Sequence, residues 1–124
     1  MTPEVKAAFD AMPDKARAGC LGLRALIFEV TEATPGVGAL REELRWGQPA
    51  YLSARGTTIR LGVPKAGGYG LFVHCQTTLI GEFRVVAPQG TRFDGNRGVL
   101  FEVGEAVDRE ALALLIRAAL TYHM

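Results

Sequence analysis

The sequence predicts an α+β domain with helices at both ends and a small antiparallel sheet between them. Three observations lead there. Residues Asp14 to Ala33 carry an apolar stripe at Cys20, Leu23, Ile27 and Val30, the spacing of one helical face. From Trp46 onward the apolar period drops to about two and glycines punctuate the chain, as in short paired strands. After Asp108 the helical period returns, with Leu112, Leu115, Ala119 and Tyr122 on one face. At 124 residues, 48% of them hydrophobic, the chain is expected to form a single domain over residues 1–124 that needs no disulfide or metal to stay folded.

The elements follow in order. Thr2 is placed to cap a first helix and Pro3 suits its first position, while Pro13 ends it near Met12. Leu26 widens the stripe of the second helix, and Pro35-Gly36 stops it. A short helix is expected from about Ala39 to Leu44. Strands are expected at Ala50–Ser53, Thr57–Val63, Gly70–Cys75 and Val99–Val103. The first hairpin turn is Ala54-Arg55-Gly56, with Gly56 available for positive φ, and the next is Gly67-Gly68. Ile59, Leu61 and Val63 share one face of their strand, and Thr58, Arg60 and Gly62 the other. Thr77 to Gly98 reads mainly as loop, because of Pro88, Gly90, Gly95 and Gly98, with a short helix or strand near Leu79–Val86. Asp108 caps the final helix, with Val107 and Leu112 placed as a hydrophobic staple.

Charge is distributed unevenly. Between Tyr51 and Gly98 there are six basic and two acidic residues, a net +4, while the flanks hold eight and eleven, a net −3. Such a split attracts anionic ligands, although a solvated surface is its commoner cause. Cys20 and Cys75 are far apart and read as free thiols of a reducing compartment. The first residues lack the basic and apolar stretches of a secretory leader, and no apolar run reaches the roughly 18 residues of a membrane span. A cytoplasmic location without membrane contact is therefore expected.

No metal cluster, nucleotide loop or nucleophile motif stands out. Gly67-Gly68-Tyr69-Gly70 precedes a strand, whereas a phosphate loop precedes a helix. Gly36-Val37-Gly38 follows a helix instead of the strand a dinucleotide fold requires. Glu29 and Glu32 share a helical face near Glu42-Glu43, a small set for a hard cation. Arg84, Arg92 and Arg97 interleave with Phe83 and Phe93, but too sparsely for a nucleic-acid surface. Cys75, in phase with Leu71 and Val73, is expected in the core. His74 and Phe72 take the opposite face, where a meander would bring Arg60 and Glu102 beside them. An uncovered Phe72 and Leu100 there would mark an interaction surface.

The segment Leu44-Arg45-Trp46-Gly47-Gln48-Pro49-Ala50-Tyr51 resembles the W/Y-G-x-P-x-Y motif of the YdhG-like domain family, a bacterial domain of unknown function. Leu23-Arg24-Ala25-Leu26-Ile27 before it, Lys65, the strand Tyr69–His74 and the closing helix resemble that family in order, so the resemblance spans nearly the whole chain. It implies a frataxin-like, two-layer sandwich, with the N-terminal helices and the C-terminal helix packed on one face of the sheet. It also implies iron carriage, since at least one relative is regarded as a frataxin-like iron chaperone. The first helix here carries only Glu4 and Asp10 with Lys6 between them, so no metal ligand is carried over. Within the motif, Pro49 stiffens the entry to the sheet, and Trp46 and Tyr51 are placed either to shape the fold or to form a lid over one edge.

The leading functional expectation is a non-enzymatic binding or accessory domain that uses the open sheet face, with no resident cofactor. Its candidate residues are Trp46, Tyr51, Arg60, Phe72, His74 and Glu102. Its candidate occupants are a small anionic ligand or a second copy of the chain, with nucleic acid disfavoured. The alternatives are a frataxin-like iron-binding chaperone and an enzyme using His74 with Arg60.

Overall fold

The computed structural model describes residues Met1–Met124. Four helices and six strands follow in the order α1 (Pro3–Asp10), α2 (Asp14–Ala33), β1 (Arg41–Arg45), β2 (Gln48–Leu52), β3 (Ile59–Gly62), β4 (Tyr69–Phe72), α3 (Leu79–Val86), β5 (Arg92–Asp94), β6 (Gly98–Phe101) and α4 (Arg109–Leu120). The strands form one antiparallel sheet in the order β1-β2-β3-β4-β6-β5. The α+β class and the packing of helices on the sheet agree with the sequence reading.

Both end helices are capped as expected. Thr2 Oγ1 accepts from the Val5 amide at 3.3 Å, and Asp108 Oδ1 accepts from the Ala111 amide at 3.0 Å. Arg17 of α2 closes the other end of α1, donating to the carbonyls of Phe9, Asp10 and Met12. The α2 stripe is buried as its spacing requires, and with Val5, Phe9, Leu112, Leu115 and Ile116 it meets the inner sheet face. That face carries Tyr51, Ile59, Leu61, Leu71 and Val99, and 24 buried side chains form one continuous core. Burial pushes the Cys20 thiol up to about 12, in keeping with a packing role. No helix is long and apolar enough to cross a membrane.

Several expectations need correction. Residues 41–45 form edge strand β1, not a helix. Arg41-Glu42-Glu43-Leu44-Arg45 is rich in helix-favouring residues, but pairing with β2 overrides propensity. The hairpin between them turns on Trp46 and Gly47, with φ of 52° and 74°, the two positive values a type I′ turn demands. Gly36-Val37-Gly38 is accordingly followed by a strand and not by a short helix. In the stretch expected to be mainly loop, the short element expected near Leu79–Val86 is helix α3, but Arg92–Asp94, expected as loop, forms β5 and pairs with β6. The third expected strand stops at Phe72, so Cys75 lies exposed in a turn instead of in the core. The strand expected at Val99–Val103 is shifted to Gly98–Phe101.

Gly56 also serves differently from expectation: its φ is not positive. Instead, its α-carbon packs against the end of α4, where a Cβ would come within 2.8 Å of the Ala119 and Leu120 carbonyl oxygens. The surrounding turn supplies further donors to those end carbonyls. The Thr57 amide donates to Ala119 at 2.9 Å and Ser53 Oγ donates to Leu120 at 3.1 Å.

Candidate functional site

The strand register sorts the outer face of the sheet into two rows. One runs Glu43, Ala50, Arg60, Phe72, Gly98, Asp94, and the other Arg45, Gln48, Gly62, Gly70, Leu100, Arg92. Three of these positions are glycines, so larger neighbours lie flat over them. The Phe72 ring covers Gly70 and Gly98, where an added Cβ would come within 2.8 Å and 2.6 Å of it. Gln48 covers Gly62 in the same way, and its Oε1 accepts from Arg60 Nη1 at 2.7 Å. The result is a shallow floor with cationic side chains rising around it.

Arg60 stands at its centre. Two concavities meet at this residue. One, of about 300 Å³, is lined by Arg45, Trp46, Thr57, Thr58, Arg60 and His74. The other, of about 340 Å³, has Phe72 as its floor and Gln48, Arg60, Lys65, Asp94 and Arg97 among its walls. Each approaches the lower size of a small-molecule site. Partial burial lowers the Arg60 guanidinium from its usual range, and the charge of Arg97 adds to the effect. Arg97 is paired with Asp94 at 3.1 Å and Arg45 with Glu43 at 3.0 Å. No carboxylate lies within ion-pairing distance of Arg60 or Lys65. Two positive charges on this face are thus left without a carboxylate to neutralise them.

Trp46 overhangs the first concavity from the hairpin tip. Its indole is 83% exposed, and the Arg60 guanidinium carbon lies 4.9 Å from the ring centroid. No family model, curated protein or solved structure matches the chain.

Of the six residues singled out from the sequence, the structure gathers four on the outer face: Trp46, Arg60, Phe72 and His74. His74 lies just beyond β4, and its Nδ1 accepts from the Gln76 amide at 3.1 Å. Tyr51 is not part of any lid with Trp46. It points to the opposite face, fully buried, and its hydroxyl donates to Glu42 Oε2 at 2.7 Å. There Arg24 and Tyr51 converge on the Glu42 carboxylate beneath the edge of the sheet. Glu102 follows Phe101, which pairs with Tyr69, so it sits at the far end of β4 from His74 and lies 3.9 Å from Arg92.

Lys65, Arg97 and Gln48 are the site residues that sequence reasoning did not single out. Lys65 stood out only within the family resemblance and Arg97 only among the arginines interleaved with phenylalanines, and neither pointed to this face. Gln48 needed the register that sets it across from Gly62. Glu29, considered for a cation site with Glu32, is held by Arg109 at 2.7 Å. No three His, Cys, Asp or Glu side chains come together in a metal-ligand group.

Proposed function

We propose that this chain is a binding domain that takes a small anionic ligand on its outer sheet face. The observation that carries this reading is Arg60, a half-buried guanidinium at the junction of two concavities with no carboxylate to neutralise it. Partial burial weakens water's hold on its charge, so an arriving anion meets a donor that is already in part desolvated and is oriented by Gln48. Lys65 and the Arg97–Asp94 pair supply further donors at the rim. Nothing in this reading requires covalent chemistry.

Titration of ¹⁵N-labelled protein with inorganic phosphate at constant ionic strength tests it. The expected result is saturable amide shifts confined to residues near Arg60, Lys65 and Arg97. Arg60→Ala is expected to weaken binding about tenfold, the loss of one charge-assisted contact. Shifts scattered over the whole surface, or an unchanged affinity in a folded Arg60→Ala protein, would sink the proposal.

A further inference from the structure

Trp46 is the residue whose presence the fold does not explain. It occupies the first central position of a type I′ turn at φ 52°, a conformation in which asparagine or glycine is favoured and a bulky side chain is strained. Most of its ring contributes nothing to the core, being 83% exposed. The exposed contact with the Arg60 guanidinium returns less than the strained backbone position costs, and such outliers gather at ligand sites. The position matters too. The turn that holds Trp46 follows Arg45 and precedes Gln48, so it sets the indole over the concavity on one side of Arg60 while Gln48 orients Arg60 from the other.

We propose that the ligand has two parts, a planar ring that stacks against Trp46 and a phosphate monoester held by Arg60 and Lys65, as in a nucleoside monophosphate. The ring half fits the first concavity, where Thr57, Thr58 and His74 offer polar groups to a heterocycle's edge. The phosphate half fits the second. There Arg97 is already matched by Asp94, and the two unmatched charges of Arg60 and Lys65 balance a phosphate monoester of charge near −2 better than a single carboxylate. Because Arg60 lines both concavities, a ligand spanning them would pass directly over it. This inference rests on the anion-binding reading and adds the ring.

Calorimetric titrations with adenosine 5′-monophosphate, inorganic phosphate and adenosine test it, on the parent chain and on Trp46→Asn. Asparagine suits the turn, so the variant is expected to melt no lower than the parent. The nucleotide is expected to bind about tenfold more tightly than phosphate, the size of a single ring stack, and that ratio is expected to fall to near one in Trp46→Asn. Equal affinity for nucleotide and phosphate in the parent, or a ratio untouched by the substitution, overturns the two-part ligand while leaving an anion site standing. Adenosine binding as tightly as the nucleotide overturns the phosphate half. Absence of binding by both phosphate and nucleotide overturns this inference and the anion site together. A marked loss of thermal stability in Trp46→Asn would show that the turn itself requires tryptophan, and would also overturn it.

Discussion

Glu42→Ala is expected to lower the free energy of unfolding at neutral pH by about 3 kcal/mol, measured by urea denaturation. The side chain of Glu42 is only 9% exposed, and it is the acceptor on which Arg24 and Tyr51 both converge. Truncating it leaves a partly buried guanidinium and a buried phenol without their shared partner, and that orphaning dominates the cost. The same bridge makes a pH prediction. Burial by itself would raise the Glu42 carboxyl, but hydrogen bonds from Arg24 and Tyr51 outweigh it and hold the group below its usual range. A carboxyl depressed in the folded state stabilises the fold above its unfolded value of about 4.3, and that contribution fades as the pH falls through the lower folded value. Glu42→Gln should therefore be less stable than the parent at pH 7, with the gap narrowing steadily as the pH is lowered below the unfolded value. A gap of constant size across that range would falsify the electrostatic account.

Gly68→Ala is expected to cost a comparable amount, about 3 kcal/mol, whereas Gly67→Ala costs nearer 1 kcal/mol. Both glycines have positive φ, 96° at Gly67 and 71° at Gly68, so each alanine is strained. Only Gly68 faces an obstacle as well. A Cβ there would overlap the Phe101 carbonyl oxygen, a backbone atom that cannot swing aside, whereas one at Gly67 meets open space. The overlap falls where β4 begins to pair with β6 at Tyr69 and Phe101, so relieving it would pull apart the start of that ladder. Thermal midpoints of the two variants, compared with each other, separate strain from collision. Equal losses would show that the close approach at Phe101 is unimportant.

The parts of the fold legible in the sequence are those in which local chemistry and tertiary packing agree. In α2 and α4 the stripe, the stops and the Asp108 cap all point one way, and the boundaries of α2 follow directly. In β1 they disagree. Glu42, Glu43 and the flanking arginines favour a helix locally, and only the partner strand makes them an edge; their charges then guard that edge against further pairing. The turn at Trp46-Gly47 was hidden for a related reason, since tryptophan is an improbable occupant of a left-handed position. The candidate site was half legible. Strand alternation correctly set Arg60 and Phe72 on one face, but it also carried β4 too far and drew Cys75 into a core it does not reach. That Tyr51 and Glu102 lie apart from the other four depends on register, which no periodicity supplies.

The placement of Trp46 has a practical consequence. It is the only tryptophan in the chain, and water already surrounds most of it in the native state. Unfolding would change its surroundings little, so its emission is expected to shift only slightly through the denaturation transition that circular dichroism records. A ring stacked on the indole would change them abruptly. The chain thus carries an optical probe that is nearly blind to folding and tuned to whatever lands beside Arg60.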